Sequence, residues 1–230
     1  MKLQRNKPSR ALTLIEVLVV IALVAILTLI LLPATSHRAT HAPRAQCLNN
    51  LRQVGLAFRS WAKDNDNRFP MEVSFTNGGA KELFKEGICS SVFKAMSNEL
   101  NTPKILVCPA DRGRSFAKIF TSEFSNSNVS YFVSLDAAAS NSTMFLTGDR
   151  NLTNGFPSQQ NILELKTNQT VGWTKEIHTI SKGGVFGITF GKVGVGNIGM
   201  ADGGVQALGI QQLNEALRIS GVLTNRLAMP

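Results

Sequence analysis

Hydrophobic positions along the chain follow three different periods. From Leu12 to Leu32 only Thr13, Glu16 and Thr28 are neither aliphatic nor alanine, so this run of 21 residues has no polar face. As a helix rising about 1.5 Å per residue it is long enough for the roughly 30 Å hydrocarbon layer of a bilayer. Further on, Cys47, Leu51, Val54, Phe58 and Trp61 recur at the spacing of one helical stripe. Arg44, Arg52, Arg59 and Lys63 fall largely elsewhere on that wheel, so the stripe reads as core. This second helix is expected from about Arg44 to Asp64–Asn67, where Asp-Asn-Asp-Asn-Arg-Phe-Pro supplies turn formers and a terminating proline. Pro43 removes a helical hydrogen bond and crowds the turn before it, which predicts a kink or irregular stretch between Pro33 and Pro43.

Beyond Pro70 the pattern shortens. Glu-Leu-Phe-Lys-Glu-Gly-Ile-Cys-Ser-Ser-Val-Phe-Lys-Ala-Met reads as one or two short helices. Residues 104–109, 128–135, 143–149, 170–175 and 185–190 are brief β-branched or aromatic runs bounded by Gly, Asn and Ser, the signature of short strands. Residues 195–209 alternate on both sides of Asp202-Gly203-Gly204 and predict a hairpin. Ile210, Leu213 and Leu217 share one face of a C-terminal helix that Gly221 closes. The fold class is therefore α+β: a long N-terminal helix, transmembrane and then amphipathic, packed on a C-terminal antiparallel sheet.

Charge orients this plan. The formal net charge is +9 over 230 residues, and Lys2, Arg5, Lys7 and Arg10 all precede the apolar run. Four cations directly ahead of a spanning helix keep the N-terminus in the cytoplasm and export the remainder. A secretory signal cut at Ala34-Thr35-Ser36 is the competing reading, but its apolar region would be about 7–15 residues, shorter than the run seen here. No basic patch interleaved with aromatics occurs elsewhere, so no nucleic-acid partner is expected.

Catalytic chemistry finds little support. Of three histidines only His178 lies in the globular part. There is no Gly-x-Ser-x-Gly elbow, His-Glu-x-x-His helix, phosphate loop or CxxC pair. Asp111, Asp149 and Asp202 could be gathered by the fold, yet such aspartates are usually turn formers. The chain is therefore expected not to be an enzyme. His37 and His41 have a metal-compatible spacing but no third ligand near them in sequence. No cofactor is expected. Calcium is the alternative, with Asp202, the carbonyls around Gly203, and Asp149 or Asp136 as candidate ligands; a simple turn is the favoured reading.

Glu16 is the oddity of the apolar run, since an ionised carboxylate at a bilayer centre costs about 2.5–3.5 kcal/mol on insertion scales. The stretch Arg10-Ala11-Leu12-Thr13-Leu14-Ile15-Glu16-Val17 resembles the N-terminal motif of type IV prepilins and type II secretion pseudopilins. The resemblance implies that prepilin peptidase cuts after Ala11 and that Leu12 becomes the N-methylated first residue. Ala11 replaces the usual Gly and Leu12 the usual Phe or Met. Glu16 then stands where the family pairs a carboxylate with the N-terminal amine of a neighbouring subunit, and Pro33 where the family commonly has proline. Two charges about 4 Å apart attract by about 4 kcal/mol at an effective dielectric near 20, enough to set register in a fibre. Residues 47–70, 105–111, 146–153 and 196–208 are also similar to a large group of prepilin-like proteins with a Cys-Pro-x-Asp segment and a late Asp-Gly hairpin. Many of those have a His ahead of the Asp-Gly, where this chain has Lys192.

The resemblance thus implies a pilin-like layout: a basic leader (1–11), a transmembrane and assembly helix (12–33), an amphipathic stalk helix (34–66) and a periplasmic globular domain (67–230). Its partners would be prepilin peptidase, the inner membrane, and copies of itself or other pilin-like subunits in a fibre. A type II secretion pseudopilus is the first expectation. A (minor) pilin of a type IV pilus is the alternative, and a membrane-anchored enzyme or binding protein the more distant one. Export would place Cys47, Cys89 and Cys108 in an oxidising compartment. Cys47 on the core stripe and Cys108 at the end of an apolar run are both expected to approach the interior. A bridge between them would close a loop of about 60 residues, stabilising by about 4 kcal/mol in the chain-entropy model. Three buried thiols packed as small apolar groups remain the alternative.

Overall fold

A computed structural model describes residues 13–36, 38–156, 158, 160–181, 184–185, 188–189 and 191–230, with the side chains of 29–42 and 181–190 left aside. The chain divides into two compact units, Met1–Ala42 and Pro43–Pro230. The first contains α1 (Leu14–Ser36). α2 (Arg38–Asp64) begins in the first unit and runs through the second from Pro43 on. The irregular stretch expected between the prolines is instead helical on both sides of residue 37, with Pro33 and Pro43 each inside a helix. A proline ring fixes φ near the helical value, so the cost here is a hydrogen bond and some crowding, and the helix winds on. Among the described residues no helix is long and apolar enough to cross a membrane. The part of α1 whose side chains are described, Leu14–Thr28, amounts to about 22 Å of helix.

α2 ends as its composition requires. Asp66 and Asn67 both adopt left-handed backbone, a conformation Asn and Asp tolerate better than most residues. The Asn67 N–H reaches back to the Ala62 carbonyl at 2.8 Å, and Asn65 Nδ2 donates to the Trp61 carbonyl at 2.8 Å. Three short helices follow, α3 (Lys81–Lys85), α4 (Cys89–Ala95) and α5 (Ser97–Leu100). The strand expected at 104–109 is not formed. Pro103 opens a 3-10 turn, Pro103–Leu106, started by Thr102, whose side chain accepts from the Lys104 N–H.

The strands are β1 (Tyr131–Ser134), β2 (Phe145–Asp149), β3 (Leu152–Thr153), β4 (Ile162–Lys166), β5 (Gly172–Trp173), β6 (His178–Ser181), β7 (Gly184–Val185), β8 (Ile188–Thr189), β9 (Lys192–Met200), β10 (Val205–Leu208) and β11 (Thr224–Ala228), with α6 (Ile210–Ile219) before the last. The main sheet has the order β10-β9-β2-β1-β11-β4, with β6 also pairing to β9, and every pairing is antiparallel. The expected hairpin is β9–β10. The run at 185–190 gives only the short pair β7–β8, and part of it lies outside the described residues. β4, β6 and β11 are strands that local pattern did not indicate.

Alternation assigns the buried apolar residues of the central strands to one of two cores. Tyr131, Val133 and Leu146 face the layer formed by the α2 stripe, α3 and α4. Phe132, Phe145, Ile198 and Leu227 face the opposite layer, formed by Leu213 and Leu217 of α6 with Trp173 and Leu152. The sheet is thus buried on both faces, which is why β1 and β2 are buried at every position. Ile210, expected on the buried face of α6, is 40 % exposed, whereas Leu213 and Leu217 are buried. Gly148 stands opposite Phe132 in the β1–β2 register, and a Cβ there would come within 2.7 Å of both the Phe132 ring and the Asn197 carbonyl oxygen. Replacing Gly148 with Val should therefore lower stability by about 2 kcal/mol, read from thermal unfolding followed by near-ultraviolet circular dichroism. Gly172→Ala, where a Cβ meets nothing within 4 Å, should change it by less than about 0.5 kcal/mol.

Candidate functional site

Among the described residues two places carry chemistry, one in each unit. At the start of α1, Glu16 Oε2 accepts from the Thr13 N–H at 2.8 Å and from Thr13 Oγ1 at 2.9 Å. The Glu16 N–H points back to the Thr13 carbonyl at 3.1 Å and to Oγ1 at 3.4 Å. This is a capping box, in which Thr and Glu three residues apart satisfy each other's free helix-end donors. Thr13 is a residue that reasoning from charge alone overlooks, although its Thr-x-x-Glu spacing was legible. Beyond it every described side chain of α1 is exposed, with Leu14 at 82 % and Ile21 at 63 %. Ala11 and Leu12, the expected cleavage junction, lie outside the described residues. The same holds for His37 and for the side chains of Pro33 and His41.

In the second unit, Cys47 of α2 and Cys108 are joined in a disulfide with their Cα atoms 5.0 Å apart, while Cys89 is free and buried. Beside the bridge lies a buried polar cluster. His178 Nε2, on β6, is 3.4 Å from Cys108 Sγ and 3.6 Å from Asp149 Oδ2. Asp149, at the end of β2, is fully buried, and its Oδ2 accepts from the Asn197 N–H at 2.8 Å and from Asn197 Nδ2 at 2.9 Å. Its other oxygen, Oδ1, is buried without a partner, as is the Tyr131 hydroxyl. Burial pushes the Asp149 carboxyl up to about 7, against the opposing pull of the Asn197 bonds and the Arg44 charge. Burial, helped by the Arg44 charge, pushes His178 down to about 4.

The neighbouring Arg150 forms a two-pronged pair with Asp111, Nε to Oδ2 and Nη2 to Oδ1 both at 2.8 Å, and reaches Glu176 at 3.0 Å. Burial works against ionising Asp111, but this guanidinium wins and holds its carboxyl below the usual range. Asp202 stays apart. It is an exposed residue of the β9–β10 turn whose Oδ1 accepts from the Gly204 N–H at 2.7 Å. Asp136 pairs with Arg226. The three carboxylates proposed for calcium therefore have separate occupations, and Asp202 acts as a turn former. Cys47, Cys108 and His178 are gathered instead, their ligand atoms within 4.8 Å of one another, but the two sulfurs are joined in the disulfide and are not free to hold a metal. Nothing local in the sequence marks His178 as the neighbour of Cys108, since 70 residues separate them.

Residues 6–32 match the model of the prokaryotic N-terminal methylation motif. The capping box and the described apolar side chains of α1 fall inside that match. No curated protein and no solved structure matches the chain.

The buried Asp149–His178 pair makes a sign-specific prediction. Between about pH 4 and 6.5 the unfolded chain holds one proton on the two groups, on His178. The folded chain also holds one, on Asp149, so the pair adds no pH slope to stability. In His178→Gln the folded state keeps a proton that the unfolded state lacks, and stability should fall as pH rises from 4 to 7. In Asp149→Asn the unfolded state holds the extra proton, and stability should rise with pH from 4 to 6.5. Denaturant unfolding at half-unit pH intervals should show opposite slopes, each up to about 1.4 kcal/mol per pH unit.

Proposed function

We propose that the chain is a prepilin-like structural subunit, not an enzyme, that prepilin peptidase cuts after Ala11 and methylates on Leu12. The apolar run holds it as a single-pass inner-membrane protein, N-terminus in the cytoplasm and C-terminal domain in the periplasm, until it enters a fibre. The observation that carries this reading is the methylation-motif match over residues 6–32. The exposed apolar surface of α1 supports it, because such a surface is stable only in hydrocarbon or against other helices. The length of the whole run from Leu12 to Leu32 supports a span.

Within that class the proposal is a subunit of a type II secretion pseudopilus. Its support is the placement of the cysteines: the bridge ties α2 to residue 108, and no cysteine follows Cys108 to enclose a C-terminal loop of the kind many major pilins have. A minor pilin of a type IV pilus is the second reading on the same ground. A secretion-pore operon around the gene would favour the first, a retraction ATPase the second.

The intact mass of the purified protein should show loss of residues 1–11 and gain of one methyl group. A mature N-terminus near Arg38 would instead establish ordinary signal cleavage. Glu16→Ala should leave cleavage and membrane insertion intact, since removing a charge from an apolar helix eases insertion, while methylation and fibre incorporation fall sharply. Glu16→Gln separates the two jobs of this residue. Gln can still close the capping box on Thr13 but has no charge for a neighbour's amine, so it should assemble as poorly as Ala. Restored assembly would mean that the carboxylate serves only the helix start.

A further inference from the structure

Two clefts on the second unit share Phe156 and Leu163 as a common wall. The larger, of about 520 Å3, runs along β4 and is lined by Gln160, Glu164 and Gln169 together with Ile162. The smaller, of about 260 Å3, is lined by Asn151, Thr174 and Glu176 together with Leu152 and Met229. Side by side they reach the size of small-molecule sites, about 300–1,000 Å3. Phe156 is 68 % exposed, yet its turn is fixed. The Asn154 side chain accepts from the Phe156 N–H at 2.9 Å and donates to the Glu164 carbonyl of β4 at 2.8 Å. A phenyl ring held between two polar clefts offers a flat apolar platform with hydrogen-bonding groups on both sides. The smaller cleft is short of donors. Asn151 is 1 % exposed and spends its amide nitrogen on the Thr174 and Val195 carbonyls. Its Oδ1 is left buried without a hydrogen-bond partner among the described residues, as is Thr174 Oγ1. Arg150 lines the same cleft, but Asp111 and Glu176 engage its donors. A buried acceptor without a partner is costly, and a ligand N–H or O–H removes that cost.

We propose that the two clefts bind a glycan of N-acetylated hexosamines laid across Phe156. A pyranose ring is apolar on its C–H faces and polar at its rim, so it matches a phenyl platform edged by amides and carboxylates. In the smaller cleft the acetamido N–H of one sugar donates to Asn151 Oδ1, and the acetamido methyl packs on Leu152, Leu163 and Met229. Thr174 Oγ1 and Glu176 take hydroxyls of the same sugar. The next sugar lies in the larger cleft over Ile162, with its hydroxyls toward Gln160, Glu164 and Gln169. The acetamido group is the selective element, because it alone supplies an N–H and a methyl group together where an orphaned acceptor stands among apolar side chains. The site needs only the fold of the second unit, so it stands or falls apart from the pilin-like reading.

The test uses the full chain in micelles of a detergent without a sugar headgroup, titrated calorimetrically with the linear tetrasaccharide of N-acetylglucosamine. Binding should saturate with a Kd of about 1 mM or tighter. The tetrasaccharide of glucose with the same linkage lacks only the acetamido groups and should bind at least about tenfold more weakly, because it leaves Asn151 Oδ1 unpaired. Phe156→Ala should weaken binding at least about tenfold, with thermal unfolding unchanged because the side chain is exposed. Phe116→Ala removes another exposed phenyl ring, in a different cavity, and should leave binding unchanged. No saturable binding, equal affinity for the glucose tetrasaccharide, or equal affinity of Phe156→Ala would each overturn the site. A matching loss on Phe116→Ala would do so too, since it would mean general adsorption to aromatic surface. Displacement of the sugar by spermine would give the free acceptors to a cationic amine and overturn the glycan.

Discussion

The second unit depends on burying the apolar stripe of α2. Cys47, Leu51, Val54, Phe58 and Trp61 are each at most 5 % exposed, and a fully buried side chain of this size contributes about 1.5–3 kcal/mol. A helix with such a stripe cannot remain alone in water. The sheet supplies the opposing surface through Tyr131, Val133 and Leu146, and the β9–β10 turn closes in from the end. That approach is possible because Gly55 meets Gly203, where an added Cβ would sit 3.2 Å from the Gly203 carbonyl oxygen.

Closing this layer leaves polar groups inside it, and their arrangement follows from what burial costs. Asp111 is ionised because Arg150 grips both its oxygens; Asp149 has no such partner, and its carboxyl is pushed up. His178, between Asp149 and the disulfide, is pushed down for the same reason. The pair keeps one proton between them, which lets the core hold two titratable groups without a pH penalty over the range where they would otherwise oppose each other. The disulfide crosses 61 positions of sequence and fastens α2 to the region of this cluster, so the stripe and the polar groups hold as one unit.

The N-terminal unit answers to a different constraint. The described side chains of α1 from Leu14 to Thr28 are all exposed and mostly apolar, and the one acid among them closes the helix start on Thr13. The capping contact reduces the cost of carrying a charge at the edge of an apolar run, because two donors already solvate one of its oxygens.

What the sequence by itself determined were features written in local period and spacing. The apolar run, the α2 stripe, the Asp-Gly hairpin and the C-terminal helix each repeat within a few residues, and side-chain geometry along one element decides them. Cys47 and Cys108 could be singled out as inward-facing for the same reason. Only the tertiary structure decided the rest. β11 lies between β1 and β4, yet Thr-Asn-Arg-Leu-Ala has no strand period, since its pairing comes from partners about 60 and 90 residues away. The run at 104–109 looked like a strand, but its first half turns as a 3-10 helix, Pro103–Leu106, opened by Pro103 and the Thr102 cap, and its link to the sheet is the Ser130 N–H donating to the Leu106 carbonyl at 2.8 Å. His178 reaches Cys108 and Asp149 because β6 pairs with β9. Contacts between distant segments depend on which surfaces can be buried together, and that is a property of the whole fold.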